Sequence, residues 1–291
     1  MNPNMPYQPP LDADGFLAFP APAKLNLFLH VIGRRPDGYH LLQSVFQLID
    51  ACDTIRLRVR ADGQLRHLNP LPGVAPESDL CIRAARLLQQ KTGCRLGIDL
   101  QISKQLPMGG GVGGGSSDAA TVLLALNRLW ELNLSRQTLM AWGVTLGADV
   151  PFFLYGQTAF VEGIGEIMTP VASEDCWYVV LHPPVHVPTP EIFCDEGLTR
   201  NTPPLIVRVL DNAATQNDLQ AVASRKFPLI QKHLDWLSQF GEARMTGSGS
   251  CVFAKFASQA AANQVISQLP DEMKGFIAKS LSQHQLHEFA D

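Results

Sequence analysis

The chain has 291 residues, 46% hydrophobic and 17% charged, a length and apolar fraction sufficient for two ordinary cores and unlike those of a disordered protein. Its formal charge of −4 comes without a long basic run, so nothing draws it electrostatically to nucleic acid or to an anionic membrane, and a small-molecule partner is expected. Its six cysteines form no CxxC pair and no apolar stretch reaches the roughly 20 residues needed to cross a bilayer, so reduced thiols, a cytoplasmic setting and no obligate protein partner are expected.

Residues 1–15 are proline-rich and aperiodic, and read as a flexible leader outside the fold. Lys24–Val31 alternates as a strand, with Leu25, Leu27, Leu29 and Val31 on one face and Lys24, Asn26, Phe28 and His30 on the other. Arg35-Pro36-Asp37-Gly38 supplies turn chemistry, from which Tyr39 and His40 emerge. Thr54–Arg60 alternates again, and Gly63–Leu68 is a candidate hairpin partner for it. A helix is expected over 79–92, with Ser78 as its N-cap and Gly93 as its stop. Gly97–Ser103 is a strand feeding a glycine-rich loop and then a helix through Leu129. A further helix, 136–146, precedes Gly147-Ala148-Asp149-Val150-Pro151, where Pro151 discourages continuation.

Short β segments are expected over 157–169, and Trp177–Leu181 opens a second domain. A helix near 217–240, a strand–turn–strand around Met245–Ser250, a helix at 258–268 and a strand at 275–280 complete an α+β layer. The expected division is a leader over 1–15, one domain over 16–172 and another over 173–291. His182 and His186 are separated by Pro183 and Pro184, which excludes a helical metal pair, and no metal-ligating residue is assigned.

The chemistry concentrates in Pro107-Met108-Gly109-Gly110-Gly111-Val112-Gly113-Gly114-Gly115-Ser116-Ser117-Asp118, which runs directly into an apolar helix. Glycine loses more backbone entropy on folding than other residues, so an ordered run implies tight bending or a close approach. Bare N–H groups at a helix N-terminus cradle phosphate, and Ser116 and Ser117 add hydroxyls. A Walker A loop needs a lysine after the glycines and finds none here. A dinucleotide fingerprint is formally present at Gly109, Gly111 and Gly114, but Glu131, its candidate ribose acid, follows the helix instead of a second strand.

The loop resembles the phosphate loop of the GHMP kinases, the superfamily of galactokinase, homoserine kinase, mevalonate kinase and phosphomevalonate kinase. Two further segments resemble its other motifs in the expected order, Pro22-Ala23-Lys24-Leu25-Asn26-Leu27 early and Thr246-Gly247-Ser248-Gly249-Ser250 late. Within the superfamily, Arg35–His40, Gly147–Phe152 and Pro188–Phe193 resemble the branch that phosphorylates a cytidine diphosphate conjugate of methylerythritol in the non-mevalonate isoprenoid route.

The resemblance implies a ribosomal-S5-like N-terminal domain that binds ATP, a ferredoxin-like C-terminal domain and a cleft between them, with ATP as co-substrate accompanied by Mg2+. It implies catalytic roles for Lys24 and Asp149. It places ATP on Pro107 to Ser117, with Lys104 beside the nucleotide, and the acceptor on Asn26, Tyr39, His40, Thr189 and Phe193. Asp79 stands where relatives carry an asparagine near adenine, and an ionised carboxylate cannot donate as that amide does. The alternatives are another GHMP kinase acting on mevalonate, homoserine or a sugar, a dinucleotide-dependent oxidoreductase, and a noncatalytic nucleotide-binding module.

Overall fold

The turn at Arg35–Gly38 closes as its residues dictate: Gly38 takes φ +92° and its N–H donates to the Arg35 carbonyl at 3.0 Å. In the computed structural model, which describes residues 7–206 and 215–290, this turn joins two long antiparallel strands, β1 (Leu17–Arg34) and β2 (His40–Arg60). Register slips between Asn26 and Leu29 switch the faces of β1. Leu25 therefore enters one core and Leu29 another, while Lys24, Asn26, Phe28 and His30 are all buried.

From Tyr7 onward the expected leader is part of the fold, which corrects the expectation over residues 7–15. The Tyr7 hydroxyl donates to the Ala18 carbonyl at 3.1 Å, Leu11 bridges Leu17, and Asp12 pairs with Arg56. These contacts cover the flank of β1, where an apolar ring and a backbone bridge outweigh the disorder that proline-rich composition suggests. Residues 1–6 lie outside the described residues.

β2 is the hub. It pairs with β1, with β4 (Gly97–Ser103), with β5 (Ala159–Gly163) and with β10 (Gly275–Leu281). β3 (Leu65–His67) does not return on β2 as a hairpin; it pairs in parallel with β4. A bare Gly97, whose Cβ would fall 2.2 Å from the Gln64 carbonyl, admits that approach. β6 (Ile167–Pro170) pairs with β5.

Helix α1 (Leu80–Thr92) is capped by Asp79, not Ser78, because the Asp79 carboxylate accepts from the N–H groups of Cys81 at 2.9 Å and Ile82 at 3.2 Å. Gly93 ends it in the left-handed region at φ +71°. α2 (Gly114–Leu129) is buried around its whole circumference from Ser117 to Asn127, the mark of a central helix. α3 (Arg136–Gly143) ends three residues before the expected stop. It does not continue into Pro151, as expected; Pro151 instead sits in the first turn of a separate helix, α4 (Val150–Tyr155), where its missing N–H costs nothing.

The second half of the chain places β7 (Trp177–Leu181), β8 (Ala243–Met245) and β9 (Val252–Phe256) beside β10, giving the sheet order β3-β4-β2-β10-β7-β9-β8. β10 is the bridge, bonded to β2 through Ser280 and Leu281 and to β7 along Gly275–Lys279. The expected long helix is split at Pro228 into α6 (Gln220–Lys226) and α7 (Pro228–Leu237). α5 (Thr189–Phe193) precedes them and α8 (Gln259–Ile266) follows.

One core lies under α1–α4, a second under α6–α8, and a third packs Leu25, Val112, Tyr178 and Cys251 at the junction of the two halves. The junction core fastens the glycine loop to β9. No helix among the described residues is long and apolar enough to cross a membrane.

Candidate active site

A cleft of about 1230 Å3 collects the chemistry-bearing segments on its wall. Its wall includes Lys104 and Asp79, the glycine loop, Lys24, Asn26 and Asp149, and the aromatic group Tyr39, His40 and Phe193 with Thr189. Two members of the expected loop set face elsewhere. Val112 lies in the junction core, and Ser117, fully buried, donates its hydroxyl to the Pro22 carbonyl at 2.6 Å. Ser116 keeps its place on the cleft wall.

The loop alternates its backbone: Gly109, Gly111 and Gly113 take φ of +70°, +77° and +75°. Such alternation points successive N–H groups into one concavity. At Gly111 a Cβ would lie 2.3 Å from the Thr246 carbonyl, and at Gly110 another would lie 2.6 Å from Cys251 Sγ. The two glycine-bearing loops are thus packed backbone against backbone. Thr246 Oγ1 accepts from the Asn26 N–H at 2.9 Å, and Asn217 holds the Met245 and Gly247 carbonyls at 2.7 and 2.9 Å.

Lys24 is 3% exposed. Its ammonium reaches Asn26 Oδ1 at 2.5 Å, Asp149 Oδ2 at 3.6 Å and the face of Phe46 at 4.6 Å. Burial pushes the lysine pKa below its ordinary value, and Asp149 opposes that only in part. Asn26 is in turn oriented by Nδ2 donating to Ser44 Oγ at 3.0 Å, and Ser44 by its bond to the Phe28 carbonyl.

Asp149 occupies the N-cap position of α4 without capping it, and its side chain is 35% exposed to the cleft. Its carboxylate is not consumed by the helix. The contrast with Asp79 is direct, since both oxygens of Asp79 are engaged, one on the α1 cap and the other at 2.5 Å from His67 Nδ1.

Lys104 lies between two carboxylates, Asp53 and Asp118, the latter at 2.8 Å. Burial works against its ammonium, but Asp118 and Asp53 outweigh it and raise its pKa. Asp118 moves the opposite way for a carboxylate. Burial raises its pKa above the usual range, Lys104 opposes this and Asp53 reinforces it, because one ammonium cannot neutralise two acids.

At the aromatic end, Tyr39 is 62% exposed, whereas the His40 and Phe193 rings lie against each other, centroids 5.0 Å apart and tilted by 33°. Phe193 therefore abuts His40. Thr189 ties α5 to the late glycine loop through Ser248 Oγ at 2.8 Å. Sequence reasoning did not find Arg200, whose Nε donates to His40 Nε2 at 3.1 Å, nor Ser44, Asp53 and Asn217, which orient the groups above. No local pattern marks any of them. Among the described residues, no three His, Cys, Asp or Glu side chains are grouped so as to hold a metal ion.

Two family signatures match the chain, the GHMP kinases N terminal domain over residues 79–157 and the GHMP kinases C terminal over residues 198–275. A 4-diphosphocytidyl-2-C-methyl-D-erythritol kinase of Thiobacillus denitrificans is 58% identical over 272 residues, spanning 94% of this chain and 98% of its own. One from Ralstonia nicotianae is 61% identical over 277 residues, spanning 93% and 96%. A crystal structure of 4-(cytidine 5'-diphospho)-2C-methyl-D-erythritol kinase superposes with a TM-score of 0.79 at 33% identity, covering 91% of this chain and 99% of that one. A mevalonate kinase crystal structure superposes at 0.66 with 14% identity, a likeness of fold.

Proposed function

The chain belongs to the 4-diphosphocytidyl-2-C-methyl-D-erythritol kinases of the GHMP superfamily, and from that premise we infer how its cleft divides the work of phosphoryl transfer. The enzyme is an ATP-dependent kinase that phosphorylates the 2-hydroxyl of 4-diphosphocytidyl-2-C-methyl-D-erythritol, a step toward isoprenoid precursors. The single observation that carries the division of labour is that one cleft holds the glycine loop, the Lys24–Asp149 pair and the aromatic cluster.

Phosphoryl transfer needs alignment, charge neutralisation and a destination for the hydroxyl proton. In our reading the triphosphate lies on the N–H groups of Gly109–Gly115 and the first turn of α2, with the Ser116 hydroxyl beside it. The alcohol sits at Asp149, whose partly exposed carboxylate takes its proton. The Lys24 ammonium stabilises negative charge on the attacking oxygen. Desolvation makes that charge act in a low dielectric, and Asn26 fixes its direction.

Tyr39 and Phe193 offer faces to the cytosine, His40 an edge partner, and Thr189 a hydroxyl. Mg2+ accompanying ATP would neutralise charge on the transferring phosphate, and the Ser116 hydroxyl on the cleft wall would help to hold it. Lys104, neutralised by Asp53 and Asp118, supports the loop at least as much as the nucleotide. On this reading residues 16–172 supply the nucleotide side and 173–291 complete the acceptor side, in the cytoplasm.

Incubation with ATP, Mg2+ and a panel of alcohols, read by mass spectrometry, tests the assignment. The expected product is the monophosphate of the cytidine conjugate alone. Phosphorylation of mevalonate, homoserine or free methylerythritol at equal efficiency would overturn it.

A further inference from the structure

We infer that Arg200 is a positioning residue that sets base preference: its guanidinium holds His40 in the neutral tautomer bearing hydrogen on Nδ1, so the ring presents a fixed donor to the acceptor's base. The inference rests on the reading that this end of the cleft takes a cytidine conjugate. A guanidinium N–H only donates, so the 3.1 Å contact from Arg200 Nε requires a lone pair on His40 Nε2, which puts the ring proton on Nδ1.

Arg200 cannot easily turn away. Its Nη2 donates to the carbonyls of Phe193 at 2.9 Å and Asp195 at 2.7 Å, and its Nη1 to that of Leu198 at 3.2 Å. One side chain thus fastens the backbone of one aromatic wall and the ring of the other.

The charges around His40 favour the neutral ring. Arg200 and, from the end of β1, Arg34 are both cationic, whereas the nearby carboxylates of Asp37 and Asp195 are paired with Arg35 and with Arg225 and Lys226. Burial first, then Arg200 and Arg34, lower the His40 pKa. Protonation would also remove the lone pair that receives Arg200.

Cytosine carries a bare acceptor nitrogen at N3, where uracil carries N–H. A ring donor matches the first and opposes the second; the other tautomer would reverse the preference. Stacking on Tyr39 or Phe193 is indifferent to the exchange. Arg200, without touching the base, would therefore fix the sign of the selectivity.

The test is 15N-edited NMR of the histidine rings in the native enzyme, with Arg200→Met and Arg200→Lys beside it. The native His40 should show the Nδ1–H pattern and titrate below the ordinary histidine pKa of about 6.5. Arg200→Met should shift His40 toward the other tautomer and toward ordinary titration. It should also reduce the cytidine/uridine ratio in kcat/KM by at least about tenfold, with the KM for ATP unchanged. Arg200→Lys should not restore the ratio, because an ammonium lacks the fork that binds the carbonyls and the ring together. A native ring with hydrogen on Nε2, or a methionine variant that keeps both tautomer and ratio, would overturn the inference. The native spectrum needs no variant or substrate, so it decides the Arg200–His40 bond even if the substrate reading fails, which inactivity on the cytidine conjugate would reveal.

Discussion

The glycine-loop wall and the aromatic wall of the cleft are built by different means. The first is made of backbone: alternating glycines at φ near +75°, two loops pressed together at Thr246 and Gly111, and a helix N-terminus. The second is made of side chains, an exposed Tyr39, the His40–Phe193 pair and the Arg200 strut behind them. A backbone site depends on what the residues lack, and a Cβ at a left-handed, closely packed glycine disturbs it. A side-chain site depends on what they carry, and tolerates change until a specific group is lost.

The largest expected effect lies at the proposed reacting pair, Lys24 and Asp149. Lys24→Met and Asp149→Asn should each lower turnover about 10^2- to 10^4-fold, with ATP affinity little changed. Single-turnover phosphate transfer checks it, and near-native turnover in either folded variant would remove that residue from the chemistry.

Next, Gly111→Val should weaken ATP binding more than about tenfold and lower Tm, because the new Cβ meets the Thr246 carbonyl and the backbone lies in the left-handed region. Gly114→Ala should do much less, since its nearest neighbour would be Lys104 Nζ at 3.4 Å and its φ is not positive. Equal effects on ATP titrations of the two variants would mean that the loop is not a conformational cradle.

Tyr39→Ala sharpens the contrast from the other side. Its ring is 62% exposed, so unfolding free energy should stay within about 0.5 kcal/mol of native, while the acceptor KM should rise roughly 5- to 150-fold, the range of about 1–3 kcal/mol per stacked base. An unchanged KM would take Tyr39 out of the pocket.

The smallest effect concerns Asp118. Its pKa is raised in the fold, so the native state binds more protons than the unfolded chain above about pH 4, and stability falls as pH rises through that window. Asp118→Asn should flatten this fall in thermal melts between pH 4 and 8. An unaltered slope would show that Lys104 compensates both carboxylates.

The same contrast explains what was legible in the sequence. Gly97–Ser103, the glycine run and the helix through Leu129 are local: alternation, bare backbone and an apolar run announce them without reference to the rest of the chain. Gly93 likewise stops α1 by its own conformational freedom. The partner of β3 is not legible locally, because parallel pairing with β4 joins segments about 30 residues apart through no local turn. Ser78 and Asp79 are both competent caps, and the tertiary partner His67 accompanies the choice.

The site shows the same limit. The motifs nominate Lys24, Asp149, Tyr39, His40 and Phe193, but not that Ser117 and Val112 turn inward, nor that Arg200 lies behind His40 across 160 positions. Residues that orient other residues carry no pattern of their own.

The proposed meeting of nucleotide and acceptor at Lys24 and Asp149 is tested most directly by the ternary complex of Asp149→Asn. The variant is titrated calorimetrically with a nonhydrolysable ATP analogue, then with the cytidine conjugate, and its single-turnover transfer is followed with ATP. Both ligands should bind together with affinities within about threefold of native, while transfer slows at least about 100-fold. Loss of either ligand, or transfer at the native rate with both bound, would contradict the claim.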